Sequence, residues 1–306
     1  MNYKQLGRSA LNVSTLCFGG NVLGWTIDEK TSFEVLDAFA AQGGNFIDTA
    51  DVYSSWAPGN SGGESEIILG NWMKARSNRG KIIVATKLGS KMPSGEGLSH
   101  DWMVQAVEDS LRRLQTDVID LYQAHIDDDK TPLEQTLESF DKLVKAGKVR
   151  VIGASNYSGA RLQHALDLSA AHHWTRYESL QPRYNLVARE YEHDQEEVCL
   201  ANGVGCIPYS ALASGFLSGK YKADKPTPSS KRAGGVQQRY FNAEAFAVLA
   251  KVEQVAQDLK ATPAQVSLAW LMQRPGVTAP IASATSVKQL EELMGAVNVH
   301  LPAGVL

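Results

Sequence analysis

The sequence predicts an α/β protein of the (β/α)8 TIM barrel class, with residues 1–306 as a single domain. Three observations predict it. Eight short β-rich runs alternate with helical patterns along the 306 residues. Most successive runs start roughly 30 residues apart, the span of one βα unit. No G-x-G-x-x-G follows the first run, which leaves a doubly wound open sheet as the weaker alternative.

The strand runs are Leu16–Gly20, Phe46–Ala50, Ile82–Lys87, Ile119–Ala124, Val149–Ser155, Ser179–Gln181, Gly205–Tyr209 and Ala279–Ser283. Helices between them carry start and stop signals. Thr131-Pro-Leu-Glu134 reads as a capping box with proline in the first turn, and Thr262-Pro-Ala-Gln265 repeats it. Leu133, Leu137, Phe140 and Val144 then keep one face apolar. Gly147 and Gly203 stand where helices should stop, and Ser99 and Ser158 where two others should start. Between the seventh and eighth runs the chain spends 74 residues, about twice its usual step. That interval holds a polar stretch, Lys222 to Asn242, and two helical patterns, Ala243–Leu259 and Pro263–Gln273. The polar stretch is either a surface insertion or a long loop on the catalytic face that folds over a ligand.

Composition narrows the function classes. A 43% hydrophobic content and a net charge of −3 argue against disorder. No run reaches the roughly 18 apolar residues of a membrane span. Thirty basic residues against 33 acidic ones, with no basic block, make nucleic acid an unexpected partner. Met1–Ala10 lacks the apolar stretch of a signal peptide, and three cysteines (Cys17, Cys199, Cys206) form no disulfide framework. A cytoplasmic location is therefore expected.

In a barrel of this class the chemistry stands at the C-terminal ends of the strands. Asp48 ends strand two, with Tyr53 just after it. Lys87 ends strand three, and strand four runs into His125. Each alone has an ordinary structural explanation, but together they place four titratable groups at one face. An ammonium beside a tyrosine favours the phenolate and lowers the hydroxyl's pKa by about 1–3 from its usual 10. Asp48 would hold Lys87 charged, and His125 could bond a substrate oxygen. The set describes a tuned proton donor facing a carbonyl, with hydride left to a reduced nicotinamide.

These residues and their neighbours resemble the aldo-keto reductases, in the bacterial and plant branch that also resembles potassium-channel β subunits. The motifs are Asn45-Phe-Ile-Asp-Thr-Ala50 with Tyr53, Ala85-Thr-Lys87, Leu121-Tyr-Gln-Ala-His125, and Gly147 to Asn156. Gln181-Pro-Arg-Tyr-Asn185, Pro208-Tyr-Ser210 and Gly215-Phe-Leu-Ser-Gly-Lys-Tyr221 extend the likeness. The resemblance implies reduction of aldehydes and ketones by NADP(H), with NAD(H) as the alternative. It makes Asp48, Tyr53, Lys87 and His125 the catalytic set, with Tyr53 as the proton donor. It assigns Ser155, Asn156 and Gln181 to the nicotinamide carboxamide and Tyr209 to the ring. It assigns Ser210, Leu212, Gly215, Ser218 and Lys220 to the pyrophosphate, and Ser283, Thr285 and Gln289 to the adenosine end. Ser283 and Gln289 replace the charged residues often found there, and Glu292-Leu293 replaces a Glu-Asn pair.

Trp25 and Trp56 follow strands one and two and are the candidate substrate-pocket aromatics. No dedicated phosphate or carboxylate clamp stands out; Arg183 and Arg189 are either such a clamp or surface charges. The partner expected is a small carbonyl compound, with no membrane or nucleic acid, in a monomer or homo-oligomer. Two rival classes stay open. A nucleotide-sensing subunit would bind cofactor with slow or no turnover. A metal-dependent barrel hydrolase would need H-x-H at a strand end, which is missing, and no metal is expected. Adjacent His172-His173 cannot share a helix face, Cys199 and Cys206 lack zinc-site spacing, and Asp127-Asp-Asp129 reads as a solvated loop before a helix.

Overall fold

Eight short parallel strands set the frame of the protein in a computed structural model that describes residues 1–223, 225–228 and 230–306. They are β3 (Cys17–Gly19), β4 (Phe46–Asp48), β5 (Ile83–Leu88), β6 (Ile119–Ala124), β7 (Val149–Ser155), β8 (Tyr177–Gln181), β9 (Gly205–Cys206) and β10 (Ile281–Ala282). Their order in the sheet is β10-β3-β4-β5-β6-β7-β8-β9. The ring closes where Cys206 bridges Val277 and the Ile281 N–H reaches the Pro208 carbonyl at 2.9 Å. This is a (β/α)8 barrel. The last two strands are shorter than the sequence predicts, because Pro208 and Pro280 have no N–H to extend the ladder.

A hairpin precedes the barrel, β1 (Tyr3–Gln5) with β2 (Asn12–Ser14). The sequence reading missed it. Leu6, Leu11 and Val13 from this unit pack against Cys17, Phe46 and Ala85 inside the barrel. They plug the end where the strands begin, so the opposite end is the open one.

Helices α1 (Glu29–Ala41), α2 (Glu64–Arg76), α3 (His100–Leu114), α4 (Leu133–Lys145), α5 (Gly159–His172) and α6 (Tyr191–Asn202) connect the strands. The long interval before β10 contains α7 (Ala233–Tyr240), α8 (Ala243–Asp258) and α9 (Pro263–Gln273), and α10 (Val287–Met294) follows. Helix α7 lies inside the stretch read as polar loop. Only its Val236 and Tyr240 are buried, the latter stacked on Phe216 at 5.6 Å. Two residues of that stretch, Asp224 and Ser229, lie outside the described residues. Among the described residues, no helix is long and apolar enough to cross a membrane.

Some of the predicted caps form and others do not. Thr262 and Gln265 make the reciprocal bonds of a capping box, at 3.2 and 3.0 Å. Ser158 accepts from the Arg161 N–H, whereas Ser99 stands at its cap position without a side-chain bond. Gly147 and Gly203 turn left-handed, at φ +74° and +62°. Thr131 does not cap α4. Its hydroxyl donates instead to Asp128 at 2.8 Å, and Pro132 takes the cap position. Asp128 is accordingly not solvated: it is buried and also accepts the N–H groups of Leu98 and Lys130. Asp127 pairs with Arg161, while His172 and His173 end α5, the former stacked on Trp174.

Candidate active site

A cavity of about 1020 Å³ opens at the C-terminal ends of the strands. The candidate catalytic, cofactor and aromatic residues taken from the sequence all line it except Lys87, which stands fully buried behind Tyr53. Strand β4 ends at Asp48 and β5 carries Lys87 one strand away, so the barrel register puts carboxylate and ammonium together. Lys87 Nζ donates to Asp48 Oδ2 at 2.8 Å, to the Thr49 carbonyl at 2.6 Å and to the Tyr53 hydroxyl at 2.9 Å. Tyr53 in turn donates to Asp48 Oδ2 at 3.1 Å. The His125 ring meets Tyr53 edge-on, with centroids 5.9 Å apart.

The turn that presents Tyr53 is pinned by side chains. Ser54, left-handed at φ +71°, donates to the Leu23 carbonyl at 2.7 Å. Asn60 bridges the carbonyls of Gly24 and Ser54. A non-glycine residue held at positive φ beside reacting groups is the kind of local strain that a surrounding structure must enforce.

One electrostatic expectation is overturned. Burial, and then the Asp48 carboxylate, push the Tyr53 hydroxyl well above its usual pKa, instead of Lys87 drawing it down. Burial disfavours the phenolate first, and Tyr53 also hydrogen-bonds the same carboxylate oxygen that Lys87 neutralises. Burial, with the nearby Lys87 charge, pushes His125 down to about 3. His125 is therefore neutral imidazole throughout the ordinary range.

The remaining lining groups are knit together. Gln181 donates to Asp48 Oδ1 at 2.9 Å, which ties strand β8 to the Tyr53 cluster. Ser155 donates to the Gln181 carbonyl. Asn156 donates to the His125 carbonyl and accepts from the Tyr209 hydroxyl at 2.9 Å. Trp25 and Trp56 meet edge-to-face at 5.6 Å, with Tyr53 beside Trp56. At the other end, Ser283 donates to Asn21 at 2.7 Å, and Gln289 accepts from the Thr285 hydroxyl and N–H.

The sequence that builds this cavity is similar to known proteins along nearly its whole length. Residues 15–305 match the model of the Aldo/keto reductase family. The chain belongs to that family. It is 35% identical to the uncharacterized oxidoreductase YrpG of Bacillus subtilis (strain 168), covering 100% of this chain and 94% of that protein. It is 31% identical to Protein tas of Escherichia coli (strain K12), covering 100% and 96%. It is also 31% identical to a probable voltage-gated potassium channel subunit beta of Arabidopsis thaliana, covering 98% and 92%. Family membership makes the protein an oxidoreductase, in a family that generally binds nicotinamide cofactors.

Features of the cavity fit such a cofactor. After β9 the residues Ser210, Ala213, Ser214 and Gly215 all have positive φ. Successive N–H groups in turns of this kind form concavities that bind anions. Lys220 and Arg232 line the same cavity.

Arg232 was missed in the sequence. It comes from the polar stretch, stacks over Trp25 at 5.4 Å and reaches toward Asn21. Lys231 beside it donates to the Trp25 carbonyl at 2.7 Å, and Arg239 on α7 also lines the cavity. Part of the stretch, with helix α7 inside it, therefore lies on the catalytic face at the cavity. Its adjacent Lys231-Arg232 pair was the available signal. Arg183 and Arg189, by contrast, pair with Glu190 and Glu192 and line no part of the cavity. Among the described residues no cluster of His, Cys, Asp or Glu could hold a metal.

Proposed function

We propose that the chain works as one catalytic domain, an NADP(H)-dependent reductase of small aldehydes and ketones with Tyr53 as the proton donor. The observation that carries this reading is the Asp48–Lys87–Tyr53 contact set at 2.8–3.1 Å. A bound reduced nicotinamide supplies hydride to the carbonyl carbon. The residues of the chain do the rest. Tyr53 gives its proton to the carbonyl oxygen, and the Lys87 ammonium steadies the phenolate left behind. Asp48 holds Lys87 in place and keeps the Tyr53 proton until a carbonyl competes for it. His125, neutral at working pH, directs its ring edge at the same space and can donate an N–H to the carbonyl oxygen. Trp25 and Trp56 offer an apolar wall for the rest of the substrate. Positioning of this kind contributes several kcal/mol, on the order of 7 or more when the geometry is near-attack.

Preference for NADP(H) is supported by Arg232, a cation in the cavity that reaches toward Asn21, the partner of Ser283. It offers charge that the neutral Ser283 and Gln289 do not. The test is oxidation of NADPH and NADH, side by side, with an activated aromatic aldehyde. Faster turnover at low NADPH concentration, with the advantage reduced tenfold or more in Arg232→Gln, is expected. Equal use of both cofactors would contradict the preference. Likeness to the plant channel subunit supports a second reading, a nucleotide-sensing subunit. Tight NADPH binding without turnover on any carbonyl would favour it.

A further inference from the structure

Asp51 lies two residues before Tyr53 and is buried, with 1% of its surface exposed. Neither of its carboxyl oxygens has a hydrogen-bond partner. Its N–H donates to the Lys87 carbonyl at 3.1 Å, so this residue joins the Tyr53 turn to the strand that carries Lys87. Four groups from four elements face it: Glu66 of α2, Arg113 of α3, Lys87 of β5 and Tyr122 of β6. Glu66 is already satisfied, by the Thr86 hydroxyl at 2.5 Å and Arg113 Nε at 2.6 Å. Arg113 is also packed against Gly63, where a Cβ would stand 2.5 Å from its Cδ. Gly63 has φ +90° and closes the loop that carries Tyr53 and Trp56. The Tyr122 hydroxyl, also buried, has no partner.

Charge counting identifies the odd member. Asp48 is matched by Lys87 and Glu66 by Arg113. Asp51 is a third carboxyl without a third cation. An unmatched charge in a closed layer is costly, and a carboxyl escapes that cost by keeping its proton. Burial, with Glu66 nearby, pushes Asp51 up to about 8.

We propose that Asp51 is a positioning residue, a neutral acid buried beneath the Tyr53 turn whose ionisation disturbs that turn, so that loss of its proton limits the reaction on the alkaline side. The proposal rests on Tyr53 being the proton donor. Ionised, Asp51 is drawn toward Lys87 and Arg113 and repelled by Glu66. That strains the backbone link to Lys87 and sets a second carboxylate against release of the Tyr53 proton. His125 stays neutral at high pH and Tyr53 and Tyr122 lie well above 10, so none of these three produces the same break.

The test is kcat/KM from pH 6 to 10 for the wild type, Asp51→Asn and Asp51→Glu, with saturating NADPH. Each variant is scaled to its own value at pH 6.5. The wild type should fall about tenfold per pH unit above about 8. Asp51→Asn should stay level to about pH 9.5, and Asp51→Glu should keep a break. In parallel, carbon-13 NMR of the Asp-labelled wild type should show one carboxyl titrating near 8, which needs no folded variant. An unchanged break in Asp51→Asn, or no such carboxyl, overturns the proposal. Wild type that turns over no carbonyl at any pH overturns the Tyr53 reading along with it, whereas turnover with an unchanged break removes only the role of Asp51.

Discussion

At the scale of single residues, Tyr53 and Lys87 separate chemistry from stability. Tyr53→Phe removes one hydroxyl from a cavity wall and leaves the Asp48–Lys87 pair intact. Lys87→Met removes half of a buried ion pair and leaves Asp48 unmatched, which costs about 3–5 kcal/mol. Urea unfolding should therefore show Lys87→Met strongly destabilised and Tyr53→Phe within about 1 kcal/mol of wild type. His125 gives a pH signature. Its pKa falls from 6.5 to about 3 on folding, so the unfolded chain binds the extra proton between those values. The stability that His125 contributes is complete above about pH 6.5 and drains away toward pH 3, by about 1.4 kcal/mol per pH unit. Unfolding measured at several acidic pH values should show that slope reduced in His125→Gln. Of this site, the four titratable residues could be read from their place at strand ends. The direction of the Tyr53 shift could not, because it depends first on how deeply the hydroxyl is buried and then on Tyr53 and Lys87 reaching one oxygen of Asp48.

At the scale of elements, short-range signals were legible where the sequence closes its own bonds. Thr262 and Gln265 are three residues apart and satisfy each other, so the pattern alone reveals the cap. Thr131 carries the same pattern, but its hydroxyl goes to Asp128, an acceptor held by Leu98 from 30 residues earlier. Thr262→Ala should cost about 1 kcal/mol through the α9 cap. Thr131→Ala should cost a similar amount, and Asp128→Ala should remove most of that effect, as a double-mutant cycle would show. The hairpin β1–β2 escaped notice because its strands are three residues each and largely polar. Its value lies in the turn between them, where Leu11 is 1% exposed against the barrel interior. Leu11→Ala should destabilise the protein by about 2–5 kcal/mol in thermal or urea unfolding. Helix α7 escaped for a related reason, since only Val236 and Tyr240 of its eight residues face inward.

For the molecule as a whole, strand count and spacing were enough to predict a barrel, because a parallel sheet of βα units closes at eight. What the spacing left open was the mouth. Lys231, Arg232 and Arg239 reach it from an interval that carries no regular period. The Lys231-Arg232 pair marks the spot in the sequence, but its place in the cavity shows only once Trp25 is seen beneath Arg232. The plugged end and the open end together make a scaffold whose rigid strands hold Asp48 and Lys87, while a pinned turn and the stretch around α7 supply Tyr53 and the extra cations. The most direct test of this account is NADPH oxidation with an activated aromatic aldehyde by wild type and Tyr53→Phe, with cofactor binding followed by fluorescence in both. Equal NADPH binding and a loss of turnover of about 10²–10⁴-fold in Tyr53→Phe is the predicted result. Undiminished turnover in Tyr53→Phe would show that the proton comes from elsewhere and would contradict the account.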